Sequence, residues 1–315
     1  MNTDSFSRRG SIGVAVRCRY RLLLLSLLGG LAVPSCTRVS SLFDLPDTRT
    51  IGQTLGTMLA VSYAANLSNH ALSVGHSGCY DMLLSDQVDT GGIDLVTIQV
   101  SKECGFPFPG QATGTISVAG VNPASGGVGV GAADFSAVRV DGRPLPITRA
   151  KGFFAVAPEQ APEHGIEELP GDDVLLERPT NPVVILFAGI QIEPSPNSGQ
   201  IDQGRVDEWF AIVSRGDTVD DFSDDGYWIG GQRASFAAGS SEVAQEFAAF
   251  SSRCRANPQL GWVTLGQVAD GGARTGVNFL VFAPECKGAG FVVLSISESP
   301  LSIGRRAPLD LLGGE

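Results

Sequence analysis

The chain predicts a mostly β protein of the α+β class: an antiparallel sheet or sandwich with one or two helices, clipped by disulfides. Three observations lead there. Charged residues are only 17 % of the 315, below the ~25 % of ordinary soluble domains, while 40 glycines exceed the usual ~7 %. Short apolar runs with two-residue alternation recur between Gly, Pro and Asp-Gly breaks, the pattern of strands joined by tight turns. Four cysteines, Cys79, Cys104, Cys254 and Cys286, remain beyond the amino-terminal segment that holds Cys18 and Cys36. Outside the cytoplasm an even number reads as two disulfides, and four cysteines allow three pairings. The sequential pairing, Cys79 with Cys104 and Cys254 with Cys286, is favoured because each bond then staples a local unit.

Residues 1–35 read as a signal peptide and 36–50 as a short polar tether. From Ile51 the positions Ile51, Leu55, Met58, Leu59, then Ser62 or Tyr63 and Asn66 or Leu67, follow helical spacing, although Gly52 and Gly56 weaken it. A strand is expected from Ile93 to Val100, ending near Cys104, and a Cys79–Cys104 bond would clip it to the preceding stretch Gly75-His76-Ser77-Gly78-Cys79. Phe106-Pro107-Phe108-Pro109-Gly110 breaks regular structure and is the expected boundary between a small α/β unit, 51–110, and a β-rich domain, 111–300.

In that second unit the expected strands are Gly114 to Val121, Phe135 to Val140, Leu145 to Thr148 after a turn at Asp141-Gly142, and Gly152 to Ala157. Residues 158–182 hold five prolines and several acids and read as a surface excursion. Val183 to Ile192 is nearly continuous apolar, as a strand buried on both faces would be. Asp207 to Ser214 and Tyr227 to Phe236 read as strands around an acidic loop. A second helix is expected over 240–255: Ser240 or Ser241 caps it, Val243, Phe247, Phe250 and Cys254 form a stripe, and Pro258 stops it. Gly261 to Val268, Gly276 to Ala283 and Gly288 to Ser297 complete the strands, and 301–315 reads as a tail.

Three clusters invite a search for chemistry. Asp217, Asp221, Ser223 and Asp225, followed by Gly226, resemble the start of a calcium loop, where alternate oxygens face the ion. Position twelve is Gln232 rather than a bidentate glutamate, so a solvated hairpin loop is the plainer account and calcium the only candidate cofactor. His70, His76, Cys79 and Asp81 lie close in sequence, but their spacing matches no structural zinc pattern and Cys79 is better used in a disulfide. Gly75-His76-Ser77-Gly78 lacks the second glycine of a nucleophile elbow, and Gly127-Val-Gly129-Val-Gly131, lacking basic companions, reads as a loop or bulge rather than a phosphate cradle. No catalytic residue is assigned.

The amino-terminal segment carries location. Arg17, Arg19 and Arg21 precede an apolar run from Leu22 to Val33, twelve residues long, within the ~7 to 15 of a signal core and short of the ~20 that span a bilayer. It ends in Val33-Pro34-Ser35-Cys36. Val33, Ser35 and Cys36 resemble the lipobox of bacterial lipoproteins, which implies cleavage before Cys36, a diacylglyceryl group on its thiol and acylation of its freed amine. A plain export signal with Cys36 as a neighbour is the alternative. Ser7-Arg8-Arg9 resembles the twin-arginine motif, but Gly10-Ser11-Ile12 lacks the aromatic that follows it, and an extended basic leader is the plainer account.

Five of the 22 basic and one of the 33 acidic residues lie in the leader, leaving 17 against 32 and a formal charge of −15 on the remaining 280 residues. Such a surface repels phosphate backbones, so nucleic acid is not an expected partner. The expectation is an exported protein, lipid-anchored in the bacterial cell envelope (at the outer membrane or periplasmic face in a Gram-negative cell), that binds an envelope protein or glycan or has a structural role. An exported hydrolase with paired carboxylates, assisted by calcium, is the alternative.

Overall fold

The helical spacing near the amino terminus becomes one 27-residue helix, α1, Thr48–Val74. The computed structural model describes residues 48–84, 91–124, 127–157, 181–195, 204–235, 241–250, 260–268, 274–282, 289–296, 299–308 and 311–312. From Leu55 to Ala71 every residue of α1 is buried. A helix with no solvent face belongs inside a fold rather than on its surface. Leu55, Met58, Leu59, Tyr63 and Leu67 are its largest contributions to the core, each worth about 1.5–3 kcal/mol when fully buried. No described helix is long and apolar enough to cross a membrane.

The strands are β1 (Tyr80–Leu84), β2 (Ile93–Gln99), β3 (Ala112–Thr113), β4 (Thr115–Ala124), β5 (Gly127–Asp134), β6 (Arg139–Val140), β7 (Arg143–Pro144) and β8 (Ile147–Ala157). They continue with β9 (Val183–Pro194), β10 (Gly204–Ser214), β11 (Gly226–Ser235), β12 (Ser241–Phe250), β13 (Leu260–Val268), β14 (Arg274–Phe282), β15 (Ala289–Ile296) and β16 (Ser299–Pro308). Thirteen of them form one antiparallel sheet in the order β1-β2-β4-β5-β8-β9-β10-β11-β12-β13-β14-β15-β16, and β3-β6-β7 form a small second sheet. The protein is thus mostly antiparallel β, with a single α-helix among the described residues. Since β2 pairs with β4, the main sheet runs across the expected boundary at Phe106–Gly110, and Leu45–Glu315 cluster as one unit.

Alternation places one row of each strand toward α1, which lies against β1, β2, β4, β5, β8, β9, β10 and β11. Ile98, Val96 and Ile93 of β2 stand opposite Ile116, Val118 and Val121 of β4. Farther along, Val213 and Ala211 of β10 stand between Val183 and Ile185 of β9 and Tyr227 and Ile229 of β11. All of these are buried. In the opposite row Val184, Ile212 and Trp228 are buried but Leu186 is 51 % exposed, so β9, expected to be buried on both faces, is covered on its second face only in part. The Asp141-Gly142 turn, with φ of 50° and 79°, joins β6 to β7 as the two positive dihedrals of a tight hairpin require.

Several expectations are corrected. The second helix expected over 240–255 is instead β12, paired with β11 on one side and β13 on the other. A ten-residue run with this composition fits either period, and pairing on both edges outweighs local propensity. Gly127 to Gly131, expected as a loop or bulge, is no loop but the opening of β5 between β4 and β8, with the register against β8 shifting between Val130 and Ala132 as a bulge does. The expected 301–315 tail contains most of β16, and its Leu311 is buried. The 158–180 excursion, the Cys254–Cys286 pairing, the signal peptide, Cys36 and the tether as far as 47 lie outside the described residues.

Candidate functional site

Buried polar side chains on α1 need partners, and where those partners lie identifies the most elaborated region of the fold. Ser62 and Ser68 turn back to donate to the carbonyls of Met58 and Ala64, both at 2.7 Å, which satisfies them within the helix. Tyr63, Asn66 and His70 reach outward instead. Each holds a different piece of chain against the carboxyl-terminal half of the helix.

Tyr63 Oη donates to the Cys104 carbonyl at 2.9 Å. Cys104 is bonded to Cys79, their Cα atoms 5.4 Å apart, within the span a disulfide bridges. Phe106 meets the Tyr63 ring edge-on at 5.1 Å and stacks with Phe108. The disulfide-linked segment therefore docks on α1 through one hydrogen bond and an aromatic cluster.

His70, only 2 % exposed, lies between Tyr80 of β1 and Asp220, whose side chain is 77 % exposed. Its Nδ1 is 2.8 Å from Tyr80 Oη, and its Nε2 is 2.7 Å from Asp220 Oδ1. A carboxylate only accepts, so Nε2–H donates to Asp220, while Nδ1 shares a hydrogen bond with the Tyr80 hydroxyl. Burial, reinforced by the nearby Asp220 charge, pushes the Tyr80 phenol up to about 12, so it is a neutral donor at physiological pH. Phe222 closes over the imidazole edge-on at 4.9 Å. The row ties α1, β1 and the acidic loop together, and its inner hydroxyl is not presented to solvent as an ionised nucleophile.

The expected calcium-loop residues are placed as follows. Asp221 Oδ1 accepts from Ser223 N at 2.9 Å and caps the short 3-10 turn Phe222–Asp224; bonds from the Ser223 hydroxyl and amide hold its carboxyl below the usual range. Asp217 N donates to Asp224 Oδ2 at 3.4 Å. Asp225 turns inward: it is 4 % exposed, and its Oδ2 accepts from Asn66 Nδ2 at 2.8 Å. Burial pushes this carboxyl up to about 8, with the Asp224 and Asp221 charges adding to the rise and the Asn66 bond opposing it. Among the described residues no three His, Cys, Asp or Glu side chains converge as a metal site requires.

The zinc grouping resolves in the same way. Cys79 is in its disulfide and His70 belongs to the Tyr80–Asp220 row, which leaves neither as a ligand beside His76 and Asp81. Sequence reading singled out His70, Asp221, Ser223 and Asp225 but missed Asn66, Tyr80, Asp220 and Phe222 as their partners. The signal in the sequence was the cluster of polar residues Asn66, Ser68, Asn69 and His70 late in the helical stretch.

Comparison with protein-family models, with curated proteins and with solved structures gives no match.

Proposed function

We propose that this is an exported envelope lipoprotein, held at the membrane by lipid on Cys36, whose β-rich body binds another envelope component or supports envelope structure. The observation that carries the reading is the Arg17–Cys36 segment: basic flank, twelve-residue apolar core, then Val33-Pro34-Ser35-Cys36. Three features support it. The Cys79–Cys104 disulfide is a bond that persists in oxidising compartments. Net negative charge disfavours nucleic acid as a partner. The polar groups around α1 are engaged in holding elements together, as a rigid scaffold requires.

Growth with an alkyne-tagged fatty acid tests it. The wild-type protein takes up the tag and sediments with membranes, whereas Cys36→Ala does neither. An untagged wild-type protein, or a tag retained in Cys36→Ala, rejects the reading.

A further inference from the structure

The loop between β10 and β11 packs its most buried acid against a buried amide of α1, and the bonding between them is incomplete. Asn66 Nδ2 donates to Asp225 Oδ2, but Asn66 Oδ1 and Asp225 Oδ1 are both buried without a partner. Two acceptors and no donor is a costly arrangement in a dry interior. No described salt bridge neutralises Asp225: the Arg215 guanidinium, although on the same loop, donates through Nε to the Asn181 carbonyl at 3.1 Å. An ionised carboxylate buried with a single hydrogen bond and no counter-charge costs several kcal/mol. Protonation removes the charge and supplies the missing donor.

We infer that Asp225 carries a proton on Oδ1, and that this neutral acid, paired with Asn66, is a latch holding the β10–β11 loop on α1 until the proton leaves. This goes beyond the envelope reading and does not depend on lipidation. The groups that face Asp225 are Asp224, Asp221 and Arg215 from its own loop and Asn66 from α1. One turn along α1, His70 is committed to Asp220 and to Tyr80 of β1. Loss of the proton sets a third negative charge beside Asp224 and Asp221, and the loop carrying Asp220 and Phe222 is then repelled from its seat over His70.

The direction of the pH effect follows. In the unfolded chain Asp225 ionises in the ordinary range near ~4, whereas in the fold burial holds it protonated up to about 8. Between those values the folded state binds the extra proton, so this group's stabilisation is complete below the lower value, declines as pH rises, and is gone above the upper one.

The test compares the purified wild-type protein, disulfide intact, with Asp225→Asn, a permanently neutral mimic. Denaturant unfolding from pH 5 to 9.5 is expected to show the wild type losing folding equilibrium relative to the variant by up to about tenfold per pH unit below pH 8. Amides of residues 216–226 should exchange faster in the wild type than in the variant above that pH. Wild-type infrared spectra should show a protonated-carboxyl band at pH 6 that vanishes by pH 9.5; this measurement decides the matter even if the variant does not fold. Parallel unfolding curves, or no such band, overturn the inference. So does millimolar calcium that stabilises the wild type but not Asp225→Asn, because a cation rather than a proton would then complete the pair.

Discussion

Gly56 sits in the middle of a buried helix, where alanine ordinarily gains about 0.5–1 kcal/mol over glycine. Here the sign reverses. A Cβ at this position would lie 2.1 Å from the Leu311 carbonyl oxygen, and backbone that close cannot swing aside as a side chain can. Gly56→Ala is expected to destabilise the protein by about 1–3 kcal/mol, the usual range for overpacking. Gly78→Ala, with nothing within 4 Å, should change stability by less than about 0.5 kcal/mol; equal effects in a denaturant titration would contradict the close approach. Little of this is legible in sequence. Gly56 reads there as a weakness in a helical pattern, because periodicity reports neighbours three and four residues away and Leu311 comes from the far end of the chain. The same limit hid the partners of His70: a histidine, a tyrosine ten residues on and an aspartate in a distant loop carry no shared local signal.

At the scale of elements, strands were read more reliably than helices, for a physical reason. Gly, Pro and Asp-Gly breaks bound nearly every strand from β8 to β15, so their limits follow from turn chemistry. Helix and strand patterns overlap for short runs: Ser-Glu-Val-Ala-Gln-Glu-Phe-Ala-Ala-Phe from Ser241 satisfies both, and only pairing with β11 and β13 decides between them. For α1 the existence of a helix was legible but its burial on all sides was not. Ser62, Asn66, Ser68 and His70 are buried on it and are satisfied by helix carbonyls or by docked segments. The disulfide segment on that helix has a measurable weight. Replacing Cys79 and Cys104 together by serine reopens a 25-residue span and should cost roughly 3 kcal/mol by loop entropy. An unchanged denaturation midpoint would mean that the Tyr63 and Phe106 contacts hold the segment unaided.

For the whole molecule, a helix set against the first strands of a long meander gives a body in which three docked segments meet the carboxyl-terminal half of α1. That end is keyed by the disulfide segment, by the His70 row and by the Asp225–Asn66 pair, three separate ties to one helix. Under the proposed envelope reading, that body is held by a lipid tether in a compartment without cytoplasmic reductants. The measurement closest to that conclusion is the intact mass of protein extracted from membranes, taken before and after reduction. Expected is a chain beginning at Cys36, heavier by a diacylglyceryl and an amide-linked acyl group, with Cys79 and Cys104 joined. A soluble chain that retains residues 1–35, with free thiols at Cys79 and Cys104, would contradict it.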